Sequence, residues 1–447
     1  MTNDAPAPAT RGRRQFLQAS AGLLAFPAVA QSKPFAGVKL RGAAFQHSFF
    51  TALRKYIPEW EAATGATVDL QLSAFPVYNQ QADLELSSGG SAWDFCNVTF
   101  ILAARWVAAG LLANLDAFAD DRKLTPASWN KDDFVKGAQV PYMDAAGKTY
   151  GYSWEGGAML MGISRMDLMK KHGLKVPNTF DELLKVVEAM HGKDGVTGFV
   201  SSNLHHWFLP PYIHGYGGDV FANPPADIRP MLDSPATVKA LELYSQLLSK
   251  YSPQGVLGYT EDQARAALMA GRSNMYIHSS AWVSATLTHP DSKVKETAGV
   301  FRMPAGPAGD FPASNSQGLG IPKNAKNKEA AWSFISWALS PALTARMADD
   351  GLHTSVCRRS VIESANYKKD MTINGQELWK LYLGVLEQPA KGRNYMAYRT
   401  VKEFPQVADP INKAVERVVS GQMGVAESLK VAQEAALANL RRGGAKV

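Results

Sequence analysis

Residues 38–72 read VKLRGAAFQHSFFTALRKYIPEWEAATGATVDLQL. The hydrophobic period changes twice within this stretch. Residues 38–45 form a short apolar run and read as a strand. Residues 49–63 carry Leu53, Tyr56, Ile57 and Trp60 at helical spacing, with Pro58 blurring the bounds of the helix. Gly65 stands where a helix ends in the left-handed conformation. Val68, Leu70 and Leu72 then alternate, which is the period of a strand. Working outward, Val77–Leu86 reads as a helix, Trp93–Phe100 as an apolar strand, and Ala103–Ala109 as a helix stopped at Gly110. Three strand–helix repeats predict a mostly parallel sheet covered by helices, because parallel neighbours need a long crossover.

The pattern restarts further on. Tyr150–Trp154 and Ala158–Ile163 read as strands. Thr179-Phe180-Asp181-Glu182 is a capping box, opening a helix with Leu183, Leu184, Val187 and Met190 on one face. Gly198–Ser201 reads as a short strand, and Ser234-Pro235 starts a helix with proline at its first position. Thr260 and Gln263 form a second capping box, closed by Gly271 before a strand at Asn274–His278. Gly318–Ile321 is predicted as a strand and Glu329–Leu339 as a helix, followed by helices near Asp409–Val419 and Val425–Leu440. Glycine and proline gather near 215–225 and 303–312, which read as loops.

The composition narrows the function. The chain has 447 residues, 46% hydrophobic and 19% charged, enough for a sizeable core. A net charge of +7 over this length argues against a dedicated nucleic-acid binder. No apolar run reaches the 18 or so residues that span a bilayer. The two cysteines, Cys96 and Cys357, exclude a cysteine-built zinc or iron–sulfur site. A bond between them needs Cα atoms within about 7 Å, which the sequence leaves open.

The N-terminus has the order basic, apolar, small: Arg13-Arg14-Gln15-Phe16-Leu17, then Ala19 to Phe26, then Pro27-Ala28-Val29-Ala30. The paired arginines resemble a twin-arginine leader, although Gly12 and Gln18 stand where that leader usually has a small hydroxyl residue and a lysine. The expectation is export to the periplasm and cleavage after Ala30, with no cysteine there for a lipid anchor.

Phosphate-loop, His-Glu-x-x-His and Gly-x-Ser-x-Gly patterns are missing. Gly215-Tyr216-Gly217-Gly218 lacks dinucleotide spacing, and the adjacent His205-His206 is a weak metal candidate. No catalytic residue, metal or cofactor is therefore expected. What stands out is aromatic: Phe, Trp and Tyr make up 10%, including ten Trp, and Trp154, Trp207, Tyr212, Tyr216 and Trp282 fall in turn-like places. A sugar ring offers an apolar C–H face for an indole and a rim of hydroxyls for carboxylates, amides and arginines. Taken singly, each ring has core packing as the blander explanation.

Five stretches in order resemble the family 1, carbohydrate-type solute-binding proteins of ABC importers, the maltose-binding-protein-like group. They are residues 57–68; Trp93-Asp94-Phe95 with 109–115; Lys148-Thr149-Tyr150-Gly151-Tyr152 with 166–168 and 176–183; 267–277 with Trp282; and 326–335. The resemblance implies a two-lobed α/β fold of the periplasmic-binding type II class, with a mostly parallel sheet in each lobe and a cleft between them. Lobe one is expected over 36–154 plus 314–355 and lobe two over 155–313 plus 356–447, with crossings near 153–156, 311–315 and 353–358. It further implies a monomer that shuts by hinge motion on a small solute and hands it to inner-membrane ABC permease subunits.

Candidate ligand contacts carry over by position. Phe45, Gln46 and His47 follow the first strand, Phe75 the second, and Thr99 ends the third. Trp154 and Glu155 stand at the first crossing, Gln317 at the return crossing beside Ser316 and Gly318. His205, Trp207, Tyr216, Gly217 and Trp282 belong to the second lobe, and Arg393 or Tyr395 to the last segment. The expected guest is a sugar, sugar alcohol or oligosaccharide. A polyamine, a phosphorylated polyol or an exported enzyme are the alternatives.

Overall fold

The computed structural model describes residues 33–311, 315–388 and 395–447. The proposed leader therefore lies outside the described residues, as do Arg393 and the middle of the crossing near 311–315.

The opening stretch folds as its periods dictate: strand β1 (Lys39–Phe45), helix α1 (Ser48–Thr64) and strand β2 (Thr67–Ser73). Helix α1 runs straight through Pro58. Pro58 and Arg54, whose carbonyl loses its partner, are both on the exposed face of the helix. On the opposite face Phe49, Phe50, Leu53, Tyr56, Ile57 and Trp60 are buried, and their packing offsets the proline. Gly65 ends the helix at φ 79°, donating its N–H to the Glu61 carbonyl.

Helix α2 (Phe75–Ser87), strand β3 (Phe95–Thr99) and helix α3 (Phe100–Ala108) follow. Strand β4 (Tyr152–Glu155) and strand β5 (Met159–Arg165) come next, separated by only three residues. Helix α4 (Phe180–Met190) has half of the expected capping box. Thr179 Oγ1 accepts the Glu182 N–H at 3.2 Å, while the Glu182 carboxylate reaches Asn178 N instead of Thr179 N. Helix α5 (Pro235–Tyr251), helix α6 (Glu261–Met269), strand β6 (Met275–Ser279), helix α7 (Ser280–Thr288) and strand β7 (Ala298–Arg302) continue the chain. The Thr260–Gln263 capping box on α6 is complete. Strand β8 (Gln317–Gly320), helix α8 (Lys328–Ala338), helix α9 (Pro405–Val419) and helix α10 (Val425–Arg442) complete the elements used below.

Two sheets organise these elements. The first has the order β2-β1-β3-β8-β4. Strand β1 runs parallel to β2 and β3, and β8 is inserted antiparallel between β3 and β4. The expectation of a mostly parallel sheet holds there. It fails in the second sheet, order β6-β5-β7, where both pairings are antiparallel. The reason is topological: β5 enters the sheet from the crossing end, opposite to the direction in which the later strands return. Residues 198–201, expected as a strand, form none: the neighbouring Thr197 makes a single parallel bridge to Ser273, and the Val200 N–H bonds Met275 O at 3.0 Å.

The first sheet has a core of its own, including Leu40, Phe95, Trp106 and Trp332. Two further clusters serve the second sheet and its helices. Phe100, the first residue of α3, belongs to the second sheet's cluster with Tyr398 and Phe404, so the two bodies touch away from the crossing too. Cys96 and Cys357 are both buried and free, which settles the open question of their pairing.

Candidate ligand site at the crossing

Hydrogen bonding places the ends of both sheets at one spot. Thr99, the last residue of β3, pairs with Gln317, which pairs on its other side with Glu155. Two residues on, Gly157 O accepts from Asn315 N at 3.0 Å, and Ala158 O accepts from Ser280 N at 2.7 Å. The approach is tight: a Cβ on Gly157 would fall 1.7 Å from Asn315 Oδ1, so a larger residue here would have to displace the Asn315 side chain. The C-terminal ends of β3 and β6, the start of β8 and the first turn of α7 are thereby adjacent. In open α/β sheets ligands bind at such strand ends.

The first-sheet side is a wall of rings tied together by hydrogen bonds. Trp154 is 2% exposed. Its indole stacks on Phe49 at 4.4 Å and 16°, and meets Phe50 and His47 edge-on at 5.1 and 4.9 Å. The Nε1–H donates to Asn97 Oδ1 at 2.8 Å, and the Asn97 amide donates to Gln317 Oε1 at 3.4 Å. His353 Nε2 bonds the Trp154 carbonyl at 2.9 Å, and burial pushes this imidazole down to about 4. The stacking surface expected of Trp154 already has a face occupied by Phe49, so this residue supports the wall from behind. Phe45 packs edge-on against Phe75 at 5.0 Å and is itself buried, whereas Phe75 is half-buried and Gln46 exposed.

His47 and Glu155 face each other, Nε2 to Oε1 at 3.5 Å. Burial pulls His47 down most strongly as a single influence, but the charge of Glu155 and its hydrogen bond together outweigh it and leave His47 raised. Thr99 is fully buried and its Oγ1 has no hydrogen-bond partner among the described residues.

The second-sheet side is wired differently. His205 and Ser201 share the Tyr244 hydroxyl, each at 3.2 Å. Burial and neighbouring His206 push His205 down to about 4, so it is neutral. Its Nε2 and Ser280 Oγ are buried without a partner among the described residues, while the buried Ser202 and Tyr276 hydroxyls interact with each other. Unpartnered buried atoms are costly unless something binds them. Trp207 and Trp282 are half-buried, each with an arginine over the ring: Arg399 at 3.8 Å and Arg265 at 4.3 Å. His278, 5.0 Å from Trp282, is anchored by Glu261 at 2.7 Å.

Not every expected contact converges here. Tyr216 and Gly217 line a surface cavity of about 590 Å³ with Asp219, Arg229 and Lys239, whose lining includes no crossing residue. Arg393 lies outside the described residues, and Tyr395 begins a short 3-10 turn, Tyr395–Thr400. Sequence reading missed Asn97, Phe49, His353, Ser202, Tyr276 and Ser280. Asn97 carried a signal, an amide within the apolar run Phe95-Cys96-Asn97-Val98. The others did not, since nothing local distinguishes their serine, phenol or imidazole from a surface group. Among the described residues no group of three or more His, Cys, Asp or Glu is arranged to hold a metal ion.

The chain resembles known proteins along most of its length. It is 22% identical over 383 residues to a mannitol-binding protein of Pseudomonas aeruginosa, covering 82% of this chain and 85% of that one. It is 25% identical over 326 residues to a probable amino-acid ABC transporter periplasmic-binding protein of Sinorhizobium fredii, covering 70% and 72%. A solute-binding protein from Agrobacterium radiobacter, crystallised with ribitol, superposes with a TM-score of 0.72 at 22% identity, covering 90% of this chain and 99% of that one. The likeness gives the two-lobed binding-protein fold. Residues 46–345 match the bacterial extracellular solute-binding protein model, and the chain belongs to that family.

Proposed function

We propose that this protein captures a neutral polyhydroxylated solute, a sugar alcohol or small sugar, at the crossing and delivers it unchanged to an ABC permease. The single observation that carries the reading is the pair of buried hydroxyls at the crossing with no partner among the described residues, Thr99 Oγ1 and Ser280 Oγ, beside Glu155 and Gln317. Hydroxyls both donate and accept, so a polyol can satisfy these hydroxyls and the carboxylate in one pose. Half-buried Trp207 and Trp282 and ring-lined Phe75 offer apolar surface to the carbon chain. The mannitol and ribitol ligands of the relatives are of this chemistry.

The lobes are 36–154 plus 314–355 and 155–313 plus 356–447, and they close as a hinge over the guest. The carrier works as a monomer in the periplasm, reached through the twin-arginine leader and cut after Ala30. The guest and the permease are its only partners, and it has no catalytic role.

Thermal unfolding with a panel of hexitols, pentitols, tetritols, maltose and amino acids tests this. A guest at a hundredfold excess over its dissociation constant adds about 2.7 kcal/mol of stability. A shift for polyols or sugars alone supports the reading. A shift for amino acids alone would overturn it.

A further inference from the structure

Glu155 is a carboxylate only 9% exposed, at the centre of the crossing. A charge held that deep needs a partner. The titratable groups that feel it are His47, His353, Cys357, Tyr142 and Tyr382. Burial keeps His353 neutral, and it holds the thiol and both phenols protonated, so none of these supplies positive charge. Arg358, next to Cys357, is spent on Asp133 at 3.0 Å. His47 is the remaining hydrogen-bonding partner among these groups, its Nε2 3.5 Å from the carboxylate.

The position of His47 is fixed by the backbone. It is the N-cap of α1, and its Nδ1 accepts the Phe49 N–H at 3.2 Å. That bond assigns the Nε2–H tautomer and aims Nε2 at Glu155. Trp154 at 4.9 Å and Phe45 at 5.6 Å hold the ring from the sides.

We infer that His47 is a specificity-determining residue: by occupying Glu155, it closes the crossing to cationic, amine-bearing solutes and leaves it open to neutral ones. The inference rests on the crossing being the solute site. An ammonium group entering the site would find its carboxylate already paired and would have to displace His47. A hydroxyl needs no net charge and can bond the remaining carboxylate oxygen. The upward shift of His47 agrees with this pairing.

The test uses putrescine as the amine probe and D-mannitol as the neutral one, in calorimetric titrations at pH 7. His47→Asn removes the imidazole but keeps a good N-cap acceptor, so α1 remains capped. The expected result is no measurable putrescine binding to the native protein. His47→Asn should gain at least tenfold in putrescine affinity, and adding Glu155→Gln should abolish the gain. Proton NMR of the ligand-free protein should show His47 titrating at lower pH in Glu155→Gln than in the native protein. Equal putrescine binding to the native protein and His47→Asn, whether strong or absent, would overturn the inference. So would an unchanged His47 titration in Glu155→Gln. If His47→Asn gains putrescine while the native protein binds no polyol, the charge gate stands and the polyol reading falls. If the native protein binds mannitol and His47→Asn gains no putrescine, the polyol reading stands and the charge gate falls.

Discussion

The two sides of the crossing are built on opposite principles. On the first-sheet side the indole of Trp154, the amides of Asn97 and Gln317 and the imidazole of His353 satisfy one another, with the Thr99 hydroxyl the exception. On the second-sheet side His205 Nε2 and Ser280 Oγ are equally buried and have no partner among the described residues. A self-satisfied wall contributes to the stability of the protein alone. A wall with unmet hydrogen bonds contributes only once a guest supplies them. On the proposed reading, the first side is the template and the second is where affinity is gained on closure.

This contrast is most exposed to a cut through the template. Trp154→Ala removes a buried indole, leaves a cavity against Phe49 and strands the Asn97 amide, and should cost about 3–5 kcal/mol in urea unfolding. A cost below about 1 kcal/mol would mean that the first side is not a packed wall.

The acid limb of stability sharpens the comparison. His205, His206 and His353 are each held near 4, below the ordinary value of about 6.5. The unfolded chain therefore binds more protons than the folded one between those values. Their contribution to stability is complete above about pH 6.5 and is lost as the pH falls toward 4, by at most about 1.4 kcal/mol per unit for each group. His47 is raised, so its contribution has the opposite sign: present below about 6.5 and lost as the pH rises through its folded value. Unfolding followed across this range should show His205→Gln with a shallower acid loss and His47→Asn with a steeper one. The reverse order would contradict the assignment of charge to the two walls.

A smaller effect separates stability from affinity. Ser280→Ala and Thr99→Val delete hydroxyls that have no partner among the described residues, so unfolding should change by less than about 0.5 kcal/mol or improve. Polyol affinity measured by calorimetry should nevertheless fall about tenfold, the cost of one lost hydrogen bond. Equal loss in both measurements would show that these hydroxyls are structural. Smallest of all, thiol reagents should find no reactive group in the folded protein, because Cys96 and Cys357 are buried and burial pushes the Cys96 thiol up to about 12.

Much of the first body was legible because its signals are local. The stripe Leu53, Tyr56, Ile57, Trp60 is the buried face of α1, and Gly65 is its left-handed end. The second sheet was misjudged in direction. Strand periodicity reports burial and says nothing of whether a neighbour runs parallel, and here the crossing decides it. The site was legible in part. Glu155, Gln317, Thr99 and His47 could be placed because each stands at a strand end beside the crossing. Tyr216 and Gly217 were carried over by position in the family resemblance, and the fold has them line a surface cavity with no crossing residue in its lining. Ser202 and Ser280 became visible only when their hydroxyls proved to be buried, which depends on segments far apart in the chain.

The most direct test of solute capture at the crossing is a calorimetric titration of the protein with D-mannitol and ribitol, with the solute recovered and identified afterwards. Saturable one-to-one binding of at least one of them is predicted, lost in a Thr99→Val, Ser280→Ala double variant that still folds, with the solute recovered unchanged. Absence of heat with both, binding untouched by the double variant, or a chemically altered solute would contradict it.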